Sequence, residues 1–197
     1  MGKSTLPISS FPLFLVFPRM INALITSKTR VKLLLKFFLN PNNSAYLRGL
    51  ETEFGESSNS IRLELNRLEQ ANMLNSEVNG NKKLFKVNQN HPLYSEINSI
   101  VKKFIGLDVI VESIANRLGN LKAVYLTGEL AKGIDSDILD IIFVGEVDKS
   151  YLVTLVEKAE KIVKKKIRYL IFSEKEFLTY KDLKSPLLLW QSNSKLK

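Results

Sequence analysis

The stretch ESSNSIRLELNRLEQANML, residues 56–74, repeats its apolar residues with the period of a helix. Ile61, Leu65 and Leu68 recur three and four positions apart, which places them on one helical face. The small polar residues before Ile61 are of the types that cap helix N-termini. Asn72 is the commonest substitute for glycine in the left-handed conformation that ends a helix. The stretch therefore predicts an amphipathic helix with a defined start and end.

The polar face of this helix carries side chains that form hydrogen bonds or bear positive charge. They are Ser58, Asn59, Ser60, Arg62, Asn66 and Arg67. Such side chains suit the base edges and phosphates of a DNA major groove. A surface helix without a ligand has the same pattern, so this helix alone does not decide between the two interpretations. Leu63 either contacts a thymine methyl group or belongs to the core.

Two further helices are predicted upstream. Residues 29–39 have an apolar helical pattern that ends before Pro41. Residues 43–54 predict a short helix, with Asn43 or Ser44 as its N-cap.

A hairpin is predicted downstream. Residues 74–78 and 83–87 have the composition of strands, and Asn79-Gly80-Asn81 is typical of a tight turn between them. Lys82 and Lys83 follow the turn and make the hairpin tip basic.

Three helices followed by a basic hairpin resemble the winged helix-turn-helix of ArsR-type transcriptional regulators. The segment LNRLEQANM, residues 65–73, is similar to the Leu-x-x-Leu-Glu-x-Ala-Gly-Leu ending of that family, with Asn72 in place of glycine. The resemblance implies a domain over residues 26–90 that binds double-stranded DNA through the polar helix face, with Lys82 and Lys83 on the phosphates. It also implies a homodimer, because single winged helices usually bind two half-sites as symmetric pairs.

Composition limits the possible functions. The 197-residue chain has a net charge of +9, which favours a polyanionic partner such as nucleic acid. The charge is spread, however, because Lys161, Lys164–Lys166 and Arg168 lie far along the chain from the predicted DNA-reading helix. There is no cysteine, which excludes disulfides, thiol catalysis and thiolate metal sites. The only histidine is His91, so no metal site of the His/Cys kind is expected.

The segments that flank the predicted DNA-binding domain are apolar. Residues 1–25 form an arm whose apolar run, residues 11–18, is shorter than the about 20 residues that span a membrane. We expect no membrane partner and a cytoplasmic location. The arm packs on the fold or on a second copy of the chain, or it is a disordered tail. Residues 91–120 predict one long linker helix with a possible bend at Gly106, whose apolar face forms a dimer seam or packs against the chain's own domains.

The C-terminal residues, 121–197, predict a small α/β domain, and the fold class of the whole chain is therefore α+β. Three strands are expected, at residues 123–126, 137–144 and 167–172, with an amphipathic helix at residues 149–165.

The segment VYLTGELAKGIDSDILDIIFVG, residues 124–145, resembles the nucleotidyltransferase fold, and the resemblance extends over residues 121–173. In active members of that family a Gly-Ser turn contacts the triphosphate. An Asp-x-Asp pair on the next strand holds Mg²⁺, and a later strand supplies a third carboxylate.

This chain departs from the family pattern in three places. Glu129 stands where the serine after the turn glycine, Gly128, is expected. Asp137 and Asp140 are three positions apart and cannot share a face of a regular strand, and Asp135 could approach only from the loop. The strand at residues 167–172 carries arginine rather than an acid. We therefore expect a domain that is not an enzyme, holds no metal or cofactor, and keeps Gly128, Glu129, Asp135, Asp137 and Asp140 as remnants.

The sequence thus predicts a DNA-binding transcriptional regulator with a degenerate nucleotidyltransferase-like domain that regulates or dimerises, with a nucleotide or other small molecule as a possible effector. Two alternatives stay open. One is a Mg²⁺-dependent nucleotidyltransferase that uses the winged helix as a substrate or partner platform. In the other, the winged helix is a protein-interaction module and binds a protein partner instead of DNA.

Overall fold

The computed structural model describes residues 25–114, 117–118, 120–180 and 186–192. Within these ranges the chain is α+β, as predicted, with one three-stranded and one four-stranded sheet. The apolar arm expected at residues 1–25 lies outside the described part except for Ile25. None of the helices in these ranges is long and apolar enough to cross a lipid bilayer.

The N-terminal part begins with helix α1, Lys28–Leu34, which continues directly as a π-helical segment, Leu35–Leu39. The following elements are β1 (Ser44–Tyr46), α2 (Leu47–Phe54), α3 (Ser58–Gln70), β2 (Leu74–Asn79) and β3 (Lys82–Val87). The sheet order is β1-β3-β2, and both strand pairings are antiparallel. A two-residue turn joins β2 to β3, so the hairpin lies where the sequence places it.

Helix α2 starts later than the sequence predicts. Ser44–Tyr46, the expected first turn, instead form β1 and pair with residues 84–86 of β3. The helix begins after Tyr46 without a side-chain cap. Asn43 donates from its side chain to the carbonyl oxygen of Lys36, at 3.0 Å, and so does not cap the helix either. The prediction was wrong because β3, the partner strand, is distant in sequence, and pairing with it overrides local helix propensity.

Helix α3 starts and ends as predicted. The Ser57 hydroxyl accepts a hydrogen bond from the backbone N–H of Ser60 and caps the N-terminus. The apolar stripe of Ile61, Leu65 and Leu68 is buried. Asn72 has a φ of 57°, and the N–H of Met73 donates to the carbonyl of Leu68 at 2.9 Å. This is the left-handed C-terminal motif that satisfies the last carbonyl groups of a helix.

The linker is two helices rather than one. Helix α4 spans Tyr94–Phe104 and helix α5 spans Leu107–Ser113, with Gly106 between them at a φ of 82°. A Cβ atom at this position would lie 2.6 Å from Cγ1 of Val163. The expected long helix breaks because the left-handed conformation at Gly106, which only glycine adopts easily, lets the backbone approach Val163 closely.

The C-terminal part consists of β4 (Leu121–Thr127), α6 (Gly128–Ala131), β5 (Ile138–Gly145), α7 (Lys149–Val163), β6 (Lys166–Phe172), α8 (Glu174–Thr179) and β7 (Leu187–Gln191). The sheet order is β6-β5-β4-β7. Only the β5–β6 pairing in this sheet is parallel. One face of β5 joins the main core, and the other contacts a smaller cluster that includes Phe172 and Phe177.

The two parts meet where the π-helical segment lies against the loop after α6. The side-chain amide of Asn40 donates to the carbonyl oxygen of Ala131 at 3.0 Å. A Cβ atom on Gly133 would lie 2.4 Å from the Cα atom of Lys36, so the backbones of Gly133 and Lys36 are in close contact. All five residues of the π-helical segment are buried, so this junction is part of the core.

Candidate functional site

The solvent-facing side of α3 presents three polar side chains within its first three turns, Asn59, Arg62 and Asn66, that have no hydrogen-bond or ion-pair partner in the described part of the chain. The exposed Leu63 lies on the same surface. Leu63 is 51% exposed, so it does not belong to the core. A polar, cationic surface around one exposed apolar side chain can form hydrogen bonds and van der Waals contacts with a ligand without first breaking an internal bond.

The other predicted residues on α3 already have partners. The half-buried Ser58 donates its hydroxyl hydrogen to Glu51 of α2. Ser60 belongs to the N-terminal cap. Arg67 donates from Nη1 to Oε1 of Glu64 at 3.1 Å. The α3 surface that is free for a ligand is therefore smaller than the sequence predicts.

Glu64 fixes α3 against α1. It occupies a position in the buried stripe and is only 5% exposed. Arg30 of α1 donates to both of its carboxylate oxygens, Nε to Oε2 at 2.8 Å and Nη2 to Oε1 at 3.2 Å. Burial alone would raise the pKa of Glu64, but the hydrogen bonds from Arg30 and Ser27 and the charges of Arg30 and Arg67 bring it below the ordinary value of 4.5. The bidentate geometry sets the position and rotation of α3 on its support.

The ion pair between Glu64 and Arg30 predicts that the free energy of unfolding decreases in acid. A carboxylate whose pKa is lower in the folded than in the unfolded state stabilises the fold at pH values above its unfolded-state pKa, here 4.5. That stabilisation is lost as the pH falls through the pKa of the folded state. We expect the free energy of unfolding to fall below pH 4.5, and Glu64→Gln to remove on the order of 1 kcal/mol of that dependence, since Arg30 is partly exposed. Urea unfolding across a pH series measures this. The control is Glu77→Gln, because the Glu77 side chain is 70% exposed. Equal pH profiles for wild type and Glu64→Gln would contradict the prediction.

The hairpin is attached to the C-terminal end of α3. Glu69 accepts hydrogen bonds from Lys83 at 2.7 Å and from Ser76 at 2.5 Å. Lys83 also lies over the Phe85 ring, and Lys82 lies 5.9 Å from the centroid of the Tyr46 ring. Both lysines remain exposed, so their charges face the solvent beside the hairpin tip.

The second predicted site lies on the C-terminal sheet and centres on Asp140 of β5. Asp140 and Arg168 are direct neighbours across the parallel β5–β6 pairing. Arg168 donates from Nε to Oδ1 at 2.7 Å and from Nη2 to Oδ2 at 2.9 Å. These hydrogen bonds raise the pKa of Arg168. Gly128 lies so close that a Cβ atom there would be 2.1 Å from Oδ2 of Asp140.

The other predicted acidic residues do not converge on Asp140. Glu129 pairs with Lys132 at 2.8 Å, and Asp135 lies 3.5 Å from Lys165. Asp137 is exposed at the end of the loop before β5. Within the described ranges, no three His, Cys, Asp or Glu side chains are close enough to hold a metal ion. The residues present therefore do not fit the Mg²⁺ site of the nucleotidyltransferase pattern, because the one carboxylate on the sheet already has a cationic partner.

A cavity of about 460 Å³ opens beside the Asp140–Arg168 pair. Gly128, Thr127, Tyr169 and Leu170 contribute to its walls. The ion pair neutralises the charge at its polar end, and the rest of the wall is largely apolar.

No protein-family model and no curated protein matches the chain. A solved structure from Sulfolobus solfataricus, described as a "putative nucleotidyltransferase", is 28% identical over 44% of this chain and 80% of that chain, with a TM-score of 0.30. A TM-score of 0.30 does not establish a shared fold.

The sequence did not predict the roles of Arg30 and Glu64. A signal was present for Glu64, because a carboxylate three residues after Ile61 interrupts an apolar stripe. A charge at such a position needs a partner when it is buried. The identity of the partner could not be predicted, since Arg30 lies on a different helix.

Proposed function

We propose that this chain is a sequence-specific DNA-binding transcriptional regulator in which α3 enters the major groove. The observation that carries the proposal is the exposed, partner-free surface of Asn59, Arg62, Leu63 and Asn66 on a helix held rigidly from behind. Arginine and asparagine form bidentate contacts with guanine and adenine, and an exposed apolar side chain can contact a thymine methyl group. Lys82 and Lys83 on the hairpin are suited to hold the phosphate backbone. The element order from α1 to β3 supports the winged-helix interpretation. Because single winged helices usually bind two DNA half-sites as symmetric pairs, we also propose that the protein is a homodimer.

The test is fluorescence anisotropy with a labelled duplex from the DNA upstream of the protein's own gene, beside a scrambled duplex of the same composition. Both are measured at two salt concentrations, because phosphate contacts weaken as salt rises. Arg62→Ala and Asn66→Ala should each weaken binding to the specific duplex by roughly tenfold or more, which corresponds to about 1–3 kcal/mol per bidentate contact. Lys158→Ala, which removes one positive charge from the exposed side of α7, is the matched control.

Two other outcomes would change the proposal. Equal affinity for both duplexes, unaffected by either variant, would mean that only general charge attracts DNA. No binding to any duplex at low salt would favour a protein-interaction module.

We further propose that the C-terminal domain is non-catalytic and regulatory. The ion pair between Asp140 and Arg168 supports this, since the positive charge of Arg168 directly beside this carboxylate repels a Mg²⁺ ion. The alternative, a Mg²⁺-dependent nucleotidyltransferase, needs Asp135 and Asp137 to move onto the sheet beside Asp140. A rise in melting temperature with a nucleoside triphosphate that requires Mg²⁺ would favour that alternative.

A further inference from the structure

Strand β6 is an open edge of the C-terminal sheet. In the order β6-β5-β4-β7 it pairs with β5 on one side and with no strand of the described chain on the other. Its pairing with β5 is regular along the whole strand, whereas β7, the opposite edge, has a register shift against β4. A long, regular edge strand offers its unpaired backbone groups to a strand of another chain, and an irregularity such as that at β7 hinders such pairing.

The contact with β5 fixes the direction of each backbone group along β6. The N–H of Lys166 donates to the carbonyl oxygen of Asp137 at 2.8 Å, so Lys166 is directed towards the β5 side. Because the backbone groups of successive strand residues point alternately to the two sides, the N–H and C=O groups of Tyr169 and Ile171 face outward. These outward groups have no hydrogen-bond partner within the described ranges.

Side-chain carboxylates occupy the donors at both ends of this outer edge. Oε1 of Glu160 accepts from the N–H of Ile167 at 2.8 Å. Oε2 of Glu176 accepts from the N–H of Ser173, also at 2.8 Å. A charged group at an edge keeps other strands away from that position. The free part of the edge therefore lies between these two carboxylates and is centred on Leu170.

A free segment centred on one residue is complementary to a second copy of itself. When two copies align antiparallel about Leu170, Tyr169 of each exchanges hydrogen bonds with Ile171 of the other, and every free outward group gains a partner. The two Leu170 side chains then lie directly opposite each other in a non-hydrogen-bonded pair, where side chains approach most closely. Leu170 is 52% exposed in the single chain, so the pairing removes apolar surface from water.

The charges on and beside β6 are compatible with this register. Arg168 lies opposite Phe172 of the second copy, and Lys166 lies beyond the paired segment, so no two cations face each other. A register centred on Tyr169 would instead set the Glu160 carboxylate against a carbonyl oxygen of the second copy, which places two acceptors together without a donor.

We propose that β6 is a homodimer interface, in which a second copy of this chain pairs antiparallel about Leu170 and joins the two C-terminal sheets into one continuous sheet. The interface is isologous, so the pair is closed and no β6 edge stays free. The pairing needs neither DNA nor any residue of α3. Its outcome is therefore measured separately from that of the proposed DNA-binding function.

The first test is a disulfide cross-link between two copies. The chain has no cysteine, so Leu170→Cys carries a single thiol. Opposed Cα atoms in a non-hydrogen-bonded pair lie about 4.5 Å apart, within the about 4.4–6.8 Å that a disulfide spans. The control is Leu188→Cys on β7, because Leu188 is 42% exposed and lies on the opposite edge. On non-reducing electrophoresis after exposure to air, Leu170→Cys should form a covalent dimer about tenfold or more faster than the control, because pairing raises the effective thiol concentration.

The second test is sedimentation velocity of the full chain over a range of concentrations. Leu170→Lys places two ammonium groups opposite each other and should raise the Kd of the dimer by about tenfold or more, whereas Leu188→Lys should leave it unchanged. Circular dichroism and the melting temperature establish that each variant is folded. The proposal is overturned if wild type sediments as a monomer at every concentration, if Leu170→Lys dimerises as wild type does, or if the two cysteine variants cross-link at the same rate.

Discussion

Replacement of Gly133 by alanine is expected to lower the free energy of unfolding by about 3 kcal/mol or more. Gly133 has a φ of 76°, and its Cβ would lie 2.4 Å from the Cα atom and 2.8 Å from the carbonyl oxygen of Lys36. An L-residue at a positive φ costs roughly 1–2 kcal/mol, and the clash adds to this because a backbone atom cannot rotate away. The melting temperature should fall by on the order of 6–12 °C.

Two matched variants separate these contributions. Gly80→Ala has a φ of 60° with open space around the new methyl group, and so it measures backbone strain alone. Gly49→Ala has neither strain nor a neighbour within 4 Å and should stabilise α2 by about 0.5–1 kcal/mol. The difference between Gly133→Ala and Gly80→Ala is then the contribution of the contact between the two parts of the chain. If Gly133→Ala and Gly80→Ala lower the free energy of unfolding by the same amount, the close contact with Lys36 contributes nothing to stability.

Phe38→Ala, in the π-helical segment, is expected to lower the free energy of unfolding by about 3–5 kcal/mol. The Phe38 side chain is fully buried, and its ring lies 6.1 Å from that of Tyr94. The side-chain amide of Asn98 also donates to the Phe38 carbonyl oxygen at 2.5 Å. Loss of the ring leaves a cavity between the π-helical segment and α4 that the hydrogen-bonded backbone cannot close.

Urea or thermal unfolding measures the Phe38→Ala effect. Leu178→Ala is the control, because Leu178 is 71% exposed and its truncation should change stability by no more than about 0.5 kcal/mol. The two variants also differ in their expected effect on the DNA binding that we propose. Phe38→Ala should weaken it through partial unfolding, so its affinity should recover on cooling towards the temperature of maximum stability. A Phe38→Ala protein as stable as wild type would contradict the packing of Phe38 against α4.

Local features were predictable because their causes are local. The limits of α3 followed from Ser57, the apolar stripe and Asn72, all within one short stretch. The hairpin followed from two β-rich runs around Asn79-Gly80-Asn81. Strand β5 and helix α7 were predicted to within two residues at each end. For the two helices and the hairpin the decisive interactions join residues close in sequence, and β5 was recognisable from its continuous apolar run.

The missed features depend on partners that are distant in sequence. The register of β1 requires β3, and the break at Gly106 requires Val163. The π-helical segment was also unexpected, since residues 35–39 continue an ordinary apolar helix pattern. It lies where α1 meets the loop around Ala131, and neither periodicity nor composition reveals such a contact.

For the candidate sites, too, some features were predictable from local sequence and others depended on distant partners. The sequence alone determined which polar residues face outward on α3 and that the predicted strand at residues 167–172 carries Arg168 and no carboxylate. Only the tertiary structure decided that Arg168 lies in register with Asp140, that Glu64 and Glu51 engage residues predicted to be free, and that β6 lies at an edge of its sheet. The physical reason is that periodicity sets the direction of a side chain on its own element. The partner it meets depends on how elements far apart in sequence pack together.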